Sequence, residues 1–133
     1  MQAYLSFNGN CAEAFAFYAQ ALGGAITFSH TFGESPMAGD VPKEAHGRIM
    51  HIAMQADGMT LFGSDLMPDM LFEGFKGFSL SVQRQGVDAG AALFQALAQG
   101  GQITMPFAKT FWAEGFGMLV DRFGVPWMVN CEH

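Results

Sequence analysis

The amino-acid sequence contains one pattern twice. Residues 12–27 match residues 89–104 without a gap, and the shared block Gly-Gly-x-Ile-Thr, with a Phe six residues before it, is the most specific part of the match. A second match aligns residues 58–65 with residues 124–131. The offset falls from 77 in the first match to 66 in the second. The first copy is therefore predicted to contain about 11 additional residues, within the Gly-, Pro- and acid-rich segment 33–47.

Length and composition favour one globular domain over residues 1–133, built from module one (about residues 1–70) and module two (about residues 75–133). The formal net charge of −6 and the absence of a basic stripe argue against a nucleic-acid partner. Apolar runs stop short of the ~20 residues that span a membrane, and the start of the sequence lacks a signal-peptide pattern. With Cys11 and Cys131 as its only cysteines, the protein is expected to be cytoplasmic and reduced.

Each module is predicted to have the order β-α-β-β-β. The first helix is expected to begin at Asn10, with Glu13 as its capping-box partner, and Gly-Gly ends both helices. Asp57-Gly58 is a strong hairpin signal. The predicted strands cover residues 2–7, 25–32, 48–56, 59–64, 78–82, 102–105, 116–120 and 125–130, and the predicted helices follow the first strand of each module.

Four segments carry a resemblance to a known family: residues 4–14 (YLSFNGNCAEA), the Phe17-Tyr18 pair with Leu22-Gly23, residues 110–117 (TFWAEGFG) and residues 121–130 (DRFGVPWMVN). The sequence is similar to the PhnB-like branch of the vicinal oxygen chelate superfamily, which includes glyoxalases and bleomycin resistance proteins. This resemblance implies an α+β fold in which two paired βαβββ modules form a cupped mixed sheet. It also implies a homodimer.

Metal-dependent members of that superfamily place His or Glu ligands on the first and last strands of each module. The corresponding positions here are Ala3 (within one residue), Phe62, Phe78 and Met128. These residues lack the carboxylate or imidazole groups that a divalent ion needs, so neither a metal nor another cofactor is expected. The sequence also lacks a strand-Gly-x-Gly-helix signature for a nucleotide-bearing methyl donor, a Ser-His-Asp arrangement and a repeated Cys-x-x-Cys.

His51 is the main candidate for a polar group in the cup. If Asp57-Gly58 forms a two-residue turn, Ala53 pairs with Phe62 and His51 pairs with Ser64 on the same sheet face. His51 is then either a buried histidine that bonds a backbone group or the Ser64 hydroxyl, or it is the polar anchor or general base of an apolar pocket.

Glu114 and Cys11 are weaker candidates. Glu114 is either a surface carboxylate or a carboxylate held beside Trp112 and Trp127, with a pKa raised by apolar surroundings. Cys11 lies at the start of the helix, which would lower its thiol pKa, although a packed thiol is the alternative. Trp127 is expected to face the helix, and Asp121 to close a hairpin.

These observations together favour a metal-free protein that binds a small apolar or aromatic molecule in the cup. The predicted pocket residues are His51, Phe62, Ser64, Trp112 and Met128. The alternatives are an enzyme of the same superfamily (a lyase, isomerase or transferase, with or without a metal, using His51 or Glu114) and a protein that only sequesters a compound. The expected partners are a small-molecule ligand and a second copy of the chain, with no nucleic acid and no membrane.

Overall fold

The computed structural model describes residues 1–132, and the predicted element order occurs in it twice. The first set is β1 (Tyr4–Phe7), α1 (Cys11–Leu22), β2 (Ala25–Thr31), β3 (Ile49–Ala56) and β4 (Met59–Asp65). The second set is β5 (Leu80–Gln83), α2 (Val87–Ala98), β6 (Gln102–Ala108), β7 (Gly115–Val120) and β8 (Pro126–Cys131). Two short 3₁₀ turns, Ala38–Asp40 and Lys43–Ala45, lie between β2 and β3. The α+β architecture of two βαβββ modules is confirmed.

The chain divides into two compact units, unit 1 (Met1–Glu73) and unit 2 (from Gly74 onward). Each unit contains one four-stranded mixed sheet, with the order β1-β4-β3-β2 in unit 1 and β5-β8-β7-β6 in unit 2. In each sheet the first strand pairs in parallel with the last strand of the module, and the other pairs are antiparallel. Neither helix in the described chain has the length and apolarity needed to cross a membrane.

Strand register relates the two units position by position. Tyr4 lies opposite Phe62 in unit 1, and Ser81 lies opposite Met128 in unit 2, which reproduces the two sequence offsets. Residues 32–48 connect β2 to β3, whereas residues 109–114 connect β6 to β7, so the first connection is 11 residues longer. The additional residues of the first copy therefore lie where the sequence predicts them.

The Gly-Gly pair recurs because each glycine meets a different steric requirement. Gly23 and Gly100 adopt positive φ values of 69° and 75°, which side-chain-bearing residues rarely adopt. A Cβ on Gly24 would collide with the backbone oxygen of Gln55, and one on Gly101 with that of Val120. The first glycine thus turns the chain out of the helix, and the second lets the chain pass close to a neighbouring strand.

The core of each unit lies between its helix and one face of its sheet. In unit 1 the sheet contributes Leu5, Phe7, Ile52 and Met54, which pack with Phe15 and Tyr18 of α1. In unit 2 the sheet contributes Leu119, Trp127 and Val129, which pack with Leu93, Phe94 and Leu97 of α2. Burial of Trp127 on the helix side confirms its predicted orientation. On the opposite face of each sheet most of the alternate residues are partly or fully exposed, although Ala53 is buried.

Three predicted strand boundaries differ from the structure by two residues or more. β1 begins at Tyr4, although the prediction began at Gln2. β5 begins at Leu80, so Phe78 lies before the strand, and the fourth position of the implied metal set falls on Leu80 or Ser81. β6 continues through Pro106 to Ala108, although the prediction stopped at Met105. Because β6 is an edge strand with an irregular register between Met105 and Ala108, a proline is tolerated there.

The start of α1 is also held differently from the prediction. Asn10 occupies the N-cap position, but its side chain makes no capping hydrogen bond. Instead, Asp65 Oδ1 accepts hydrogen bonds from the backbone N–H groups of Gly9 (2.8 Å) and Cys11 (3.1 Å), and Oδ2 accepts one from Ile49 N–H (2.9 Å). A buried carboxylate at the end of β4 therefore holds together the turn between β1 and α1, the start of α1 and the start of β3. The capping-box pattern predicted that residues next to the helix start would accept its backbone N–H groups, whereas the acceptor is Asp65, which is distant in sequence.

Asp121 has a comparable role in unit 2. Its Oδ1 accepts hydrogen bonds from the N–H groups of Phe123 (2.8 Å) and Val125 (3.0 Å), and its Oδ2 accepts one from Trp127 Nε1 (2.8 Å). The prediction that Asp121 closes a hairpin is confirmed. The bond to Trp127 in addition anchors the largest side chain of the core.

Candidate functional site

Three rings form a cluster on the sheet face of unit 1 that points away from α1. Tyr4 of β1 lies opposite Phe62 of β4, and Phe62 lies opposite Ala53, two residues after His51 on β3. The ring centroids of Tyr4 and His51 are 5.5 Å apart, those of His51 and Phe62 5.4 Å, and those of Tyr4 and Phe62 6.3 Å. The planes of each pair lie within 26° of parallel. We refer to Tyr4, His51 and Phe62 as the aromatic triad.

A hydrogen bond links two members of the triad. Tyr4 Oη lies 3.2 Å from His51 Nδ1. The tyrosine is 50% exposed, and His51 and Phe62 are half-buried, so the rings remain at the surface of the described chain. Ser64 lies on the same face by strand alternation, but the partner of His51 is the Tyr4 hydroxyl and neither Ser64 nor a backbone group. The interpretation of His51 as a buried histidine satisfied in that way is wrong.

Strand β2 extends the triad on one side. Phe28 lies 5.0 Å from His51 between ring centroids, and His30 is the direct cross-strand partner of His51. Thr31, which follows His30, donates hydrogen bonds from its backbone N–H and its hydroxyl to the Glu34 carboxylate. These bonds, with a smaller contribution from the charge of His30, lower the pKa of Glu34. The extended face therefore combines flat apolar rings with two imidazoles.

Within the described part of unit 2, residues 74–132, the corresponding sheet face carries no imidazole. Met128 lies opposite Met118 on this face, and Phe116 occupies the position that His51 has in unit 1. Trp112 packs edge-on against Phe116 at 5.4 Å between centroids and is 46% exposed. The turn that presents Trp112 is closed by bonds from Thr110 N–H to Ala113 O and from Ala113 N–H to Thr110 Oγ1, both 3.1 Å.

Glu114 does not lie where the pocket interpretation requires it. Its backbone N–H donates to Cys131 O at the end of β8, whereas Trp127 lies near the start of that strand, with its indole bonded to Asp121. The structure therefore separates Glu114 from Trp127. Glu114 instead borders a polar cavity of about 300 Å³ within unit 2, whose other lining residues are Gln83, Arg84, Gln85, Gly86 and Glu132.

Neither cysteine has the properties of a nucleophile. Both thiols are free and buried. Burial, together with the nearby charge of Asp65, raises the pKa of Cys11, so the expectation of a lowered value is wrong and the packed thiol is correct. The same helix start that would favour a thiolate is already occupied by a carboxylate, which disfavours a second negative charge. Burial also raises the pKa of Cys131, with a further contribution from Glu114.

The side chains at the four positions that the family resemblance implies for a metal do not suit a divalent ion. Those positions fall on Ala3 or Tyr4, Phe62, Leu80 or Ser81, and Met128. Phenylalanine has no donor atom, and a thioether is a poor ligand for hard or borderline ions. Within residues 1–132, no group of three or more His, Cys, Asp or Glu side chains is arranged to hold a metal ion.

The structure thus joins part of the predicted pocket. His51 and Phe62 meet in the triad and Ser64 shares their face, whereas Trp112 and Met128 belong to unit 2. Sequence reasoning missed Tyr4, Phe28 and His30, because their proximity to His51 arises across strands. The family resemblance held a usable signal for Tyr4, since it placed the first-strand position at Ala3 within one residue.

The chain resembles known proteins over almost its whole length. The family profile described as 3-demethylubiquinone-9 3-methyltransferase matches residues 1–130. The protein YjdN of Escherichia coli (strain K12) is 38% identical over 96% of this chain and 91% of its own length. The crystal structure of protein PA1353 from Pseudomonas aeruginosa superimposes with a TM-score of 0.91 at 45% identity, covering 99% of this chain and 96% of that one.

Two further structures connect the chain with a wider group. A Bacillus cereus protein described as a putative 3-demethylubiquinone-9 3-methyltransferase, PhnB protein, gives a TM-score of 0.81 at 25% identity over 98% of both chains. A glyoxylase/bleomycin resistance protein/dioxygenase domain from Frankia sp. EAN1pec gives a TM-score of 0.71 at 12% identity, with coverage of 99% and 90%. The second likeness concerns the fold alone.

Proposed function

This chain belongs to the 3-demethylubiquinone-9 3-methyltransferase family, in the PhnB-like branch of the glyoxalase/bleomycin resistance superfamily, and we propose that it is a metal-free protein that binds a small aromatic molecule. The ligand stacks on the aromatic triad of unit 1, with Ser64 at the edge of the same surface. Trp112 and Met128 form a separate apolar surface of unit 2 that is a second candidate for ligand contact.

The observation that carries this proposal is the exposure of the triad. Rings that serve only the core are buried, as Phe7, Phe15 and Tyr18 are on the other side of the same sheet. Tyr4, His51 and Phe62 instead lie nearly parallel at the surface, where leaving apolar area in water is unfavourable. A planar ligand would cover these rings and gain the stacking energy of aromatic pairs, about 1 kcal/mol per pair beyond the area buried.

The side chains at the positions where relatives hold a metal support metal-free binding, since they offer no carboxylate or imidazole. Methyl transfer, which the family description names, finds no support in the site. The turns that precede α1 and α2 lack the glycine-rich signature of a nucleotide-bearing donor. Metal analysis of the purified protein tests this part, and a divalent ion bound in stoichiometric amount would contradict it.

A metal-free lyase, isomerase or transferase is the second candidate, because His51 is hydrogen-bonded to the Tyr4 hydroxyl at 3.2 Å. An imidazole paired with a phenol can move a proton to or from a bound molecule. Turnover of a triad-binding compound that is lost in His51→Ala would favour this candidate over simple binding.

The binding proposal is tested by a thermal-shift and NMR screen of planar aromatic compounds, since a ligand selective for the folded state raises its stability. Phe62→Leu keeps apolar volume but removes the flat ring, so affinity should fall about fivefold or more. Phe78→Leu is the matched control, because Phe78 is also partly exposed but lies outside the strands of unit 2. Equal losses in both variants, or no ligand from the screen, would count against the proposal.

We further propose a cytoplasmic homodimer. Apolar side chains remain exposed on the edge strands of both sheets, namely Ile26 and Phe28 on β2 and Ile103 and Met105 on β6. Edge strands of this kind are normally covered. The two reduced cysteines are in keeping with a reducing compartment. Sedimentation equilibrium measures the association, and a monomer at micromolar concentration would contradict the dimer.

A further inference from the structure

Resting on the proposed function, we infer that the ligand bears a hydrogen-bond-accepting oxygen on its aromatic ring, and that His51 donates to this oxygen from Nε2. The ligand class is therefore an aromatic compound with a carboxylate, phenolate or other acceptor oxygen, rather than a plain hydrocarbon or an aromatic amine. Stacking on the triad supplies affinity, and His51 supplies selectivity.

The tautomer of His51 follows from the bond to Tyr4. A phenol is a good donor, and a neutral imidazole has one nitrogen with a lone pair and one with a proton. The phenol oxygen shares its lone pairs with the ring and is a weaker acceptor than the imidazole nitrogen. The favoured arrangement is therefore Tyr4 Oη–H donating to His51 Nδ1, which leaves the proton on Nε2. Protonation of the imidazole at lower pH also leaves a proton on Nε2.

The Nε2–H group has no protein acceptor within residues 1–132, where the one hydrogen bond of the His51 side chain is the bond to Tyr4. Its ring neighbours, Phe28 at 5.0 Å and Phe62 at 5.4 Å, have no acceptor oxygen in their side chains. A ligand that covers these rings excludes water from Nε2–H. A covered donor without an acceptor loses its hydrogen bonds to water and gains none in return, so a ligand without an acceptor is penalised.

The net charge of the whole protein opposes a preference for an anionic ligand. The chain carries a net charge of −6, so long-range electrostatics favour cations over anions. A preference for an anionic ring must therefore arise from a local donor. His51 provides that donor, and His30, its cross-strand partner, adds a second imidazole beside it.

The experiment compares two probes with the same ring system. The 2-naphthoate anion presents only acceptors, and the 2-naphthylmethylammonium cation presents only donors. Both are titrated into the full-length protein at pH 8, and binding is followed by NMR shifts of the triad. We expect 2-naphthoate to bind about tenfold more tightly, as one hydrogen bond to a charged group predicts.

Two variants separate the roles of the triad members. His51→Phe keeps a ring at this position, which Phe116 occupies in the other unit, but removes the donor. It should still bind both probes, with affinities within about twofold of each other. Tyr4→Phe keeps the ring but frees Nδ1, so ¹⁵N spectra should show a larger Nδ1–H fraction and the preference for the anion should fall about threefold.

The outcomes are distinguishable. Equal affinity of the two probes for the unmodified protein, or a preference that survives in His51→Phe, would overturn the inference and leave aromatic binding intact. Failure of both probes to shift the resonances of the triad would overturn the proposed function itself. A tenfold preference that disappears in His51→Phe, with a tautomer shift in Tyr4→Phe, would establish the inference.

Discussion

The two units place different side chains on the same strand positions. Where unit 1 has Tyr4, His51 and Phe62, unit 2 has Ser81, Phe116 and Met128. The helix-facing side is apolar in both units, and both retain the Gly-Gly turn after the helix. The features that both units share are thus those that the fold requires, namely the apolar core face and the glycine turn. The divergent parts lie on the open faces, where one unit can donate hydrogen bonds from its rings and the other presents mainly apolar groups.

A similar contrast holds where the last strand of each module ends. In unit 1, Asp65 accepts three backbone N–H bonds and holds together the β1–α1 turn, the start of α1 and the start of β3. The equivalent residue of unit 2, Cys131, instead donates a weak bond from Sγ to Gly86 O at 3.4 Å. The same strand position therefore holds a hydrogen-bonded carboxylate in the first unit and a buried thiol with one weak hydrogen bond in the second.

Removing these two side chains should expose the largest difference between the units. Asp65→Ala leaves three backbone donors without an acceptor in a region that is 4% exposed at Asp65. We expect a loss of about 4 kcal/mol in the free energy of unfolding, whereas Cys131→Ala should cost about 1 kcal/mol. Urea denaturation followed by circular dichroism measures both. Hydrogen exchange at Gly9, Cys11 and Ile49 should accelerate in Asp65→Ala alone, and equal losses in the two variants would refute the contrast.

In the core of each unit, a glycine lies opposite a larger apolar residue on the neighbouring strand. The glycine is on the last strand of the module in unit 1 and on the strand before it in unit 2. Gly63 lies opposite Ile52 in unit 1, whereas Gly117 lies opposite Val129 in unit 2. A Cβ on Gly63 would lie 2.5 Å from the ring of Phe15, so Gly63→Ala should destabilise unit 1 by about 2 kcal/mol.

Gly39→Ala is the control for this overpacking, because a Cβ at Gly39 meets nothing within 4 Å. Its effect on the urea midpoint should be close to zero. Adding Phe15→Leu to Gly63→Ala should recover part of the loss, since the smaller side chain vacates the space that the new methyl group needs. If the double variant shows the sum of the two single losses, the steric explanation is wrong.

The buried thiols make stability depend on alkaline pH. Burial raises the pKa of Cys11 in the folded state, whereas the unfolded thiol ionises near ~8.5. The stabilisation that the buried Cys11 thiol gives the folded state is fully present below pH ~8.5. It is lost as pH rises, because only the unfolded state then releases the thiol proton. One such thiol gives a slope of at most about 1.4 kcal/mol per pH unit. Cys11→Ala should reduce the slope measured by urea denaturation between ~pH 8.5 and 10, and an unchanged slope would contradict this account.

The sequence predicted the fold because its signals were local and repeated. The Gly-Gly turns, the Asp57-Gly58 hairpin and the alternation that buries Trp127 each act within a few residues. The pairing of Ala53 with Phe62 follows from the hairpin alone, and the structure confirms it. Pattern and turn chemistry therefore sufficed for element order and for the register of the β3–β4 hairpin.

The candidate site was harder to predict from the sequence, because its contacts are not local. The partner of His51 is Tyr4, which lies 47 positions away and reaches it through the parallel pairing of β1 with β4. The sequence left Cys11 with two alternatives, a thiol with a lowered pKa or a packed thiol, because burial of the thiol and, after it, the charge of Asp65 are set by tertiary structure. Side chains that meet across strands or at module ends depend on a register that the local pattern does not contain.

The smallest expected effect concerns the open faces themselves. Tyr4→Phe removes one partly exposed hydrogen bond and Ser81→Ala removes one exposed hydroxyl, so each should change the free energy of unfolding by less than about 0.5 kcal/mol. The same Tyr4→Phe variant is expected to alter the tautomer of His51 and the selectivity for anions. A side chain that leaves stability unchanged but alters binding serves the site rather than the fold. If Tyr4→Phe instead cost 2 kcal/mol or more in urea denaturation, the Tyr4–His51 bond would be a structural tie of β1 to β3, and the two units would differ in how they hold their sheets rather than in what they bind.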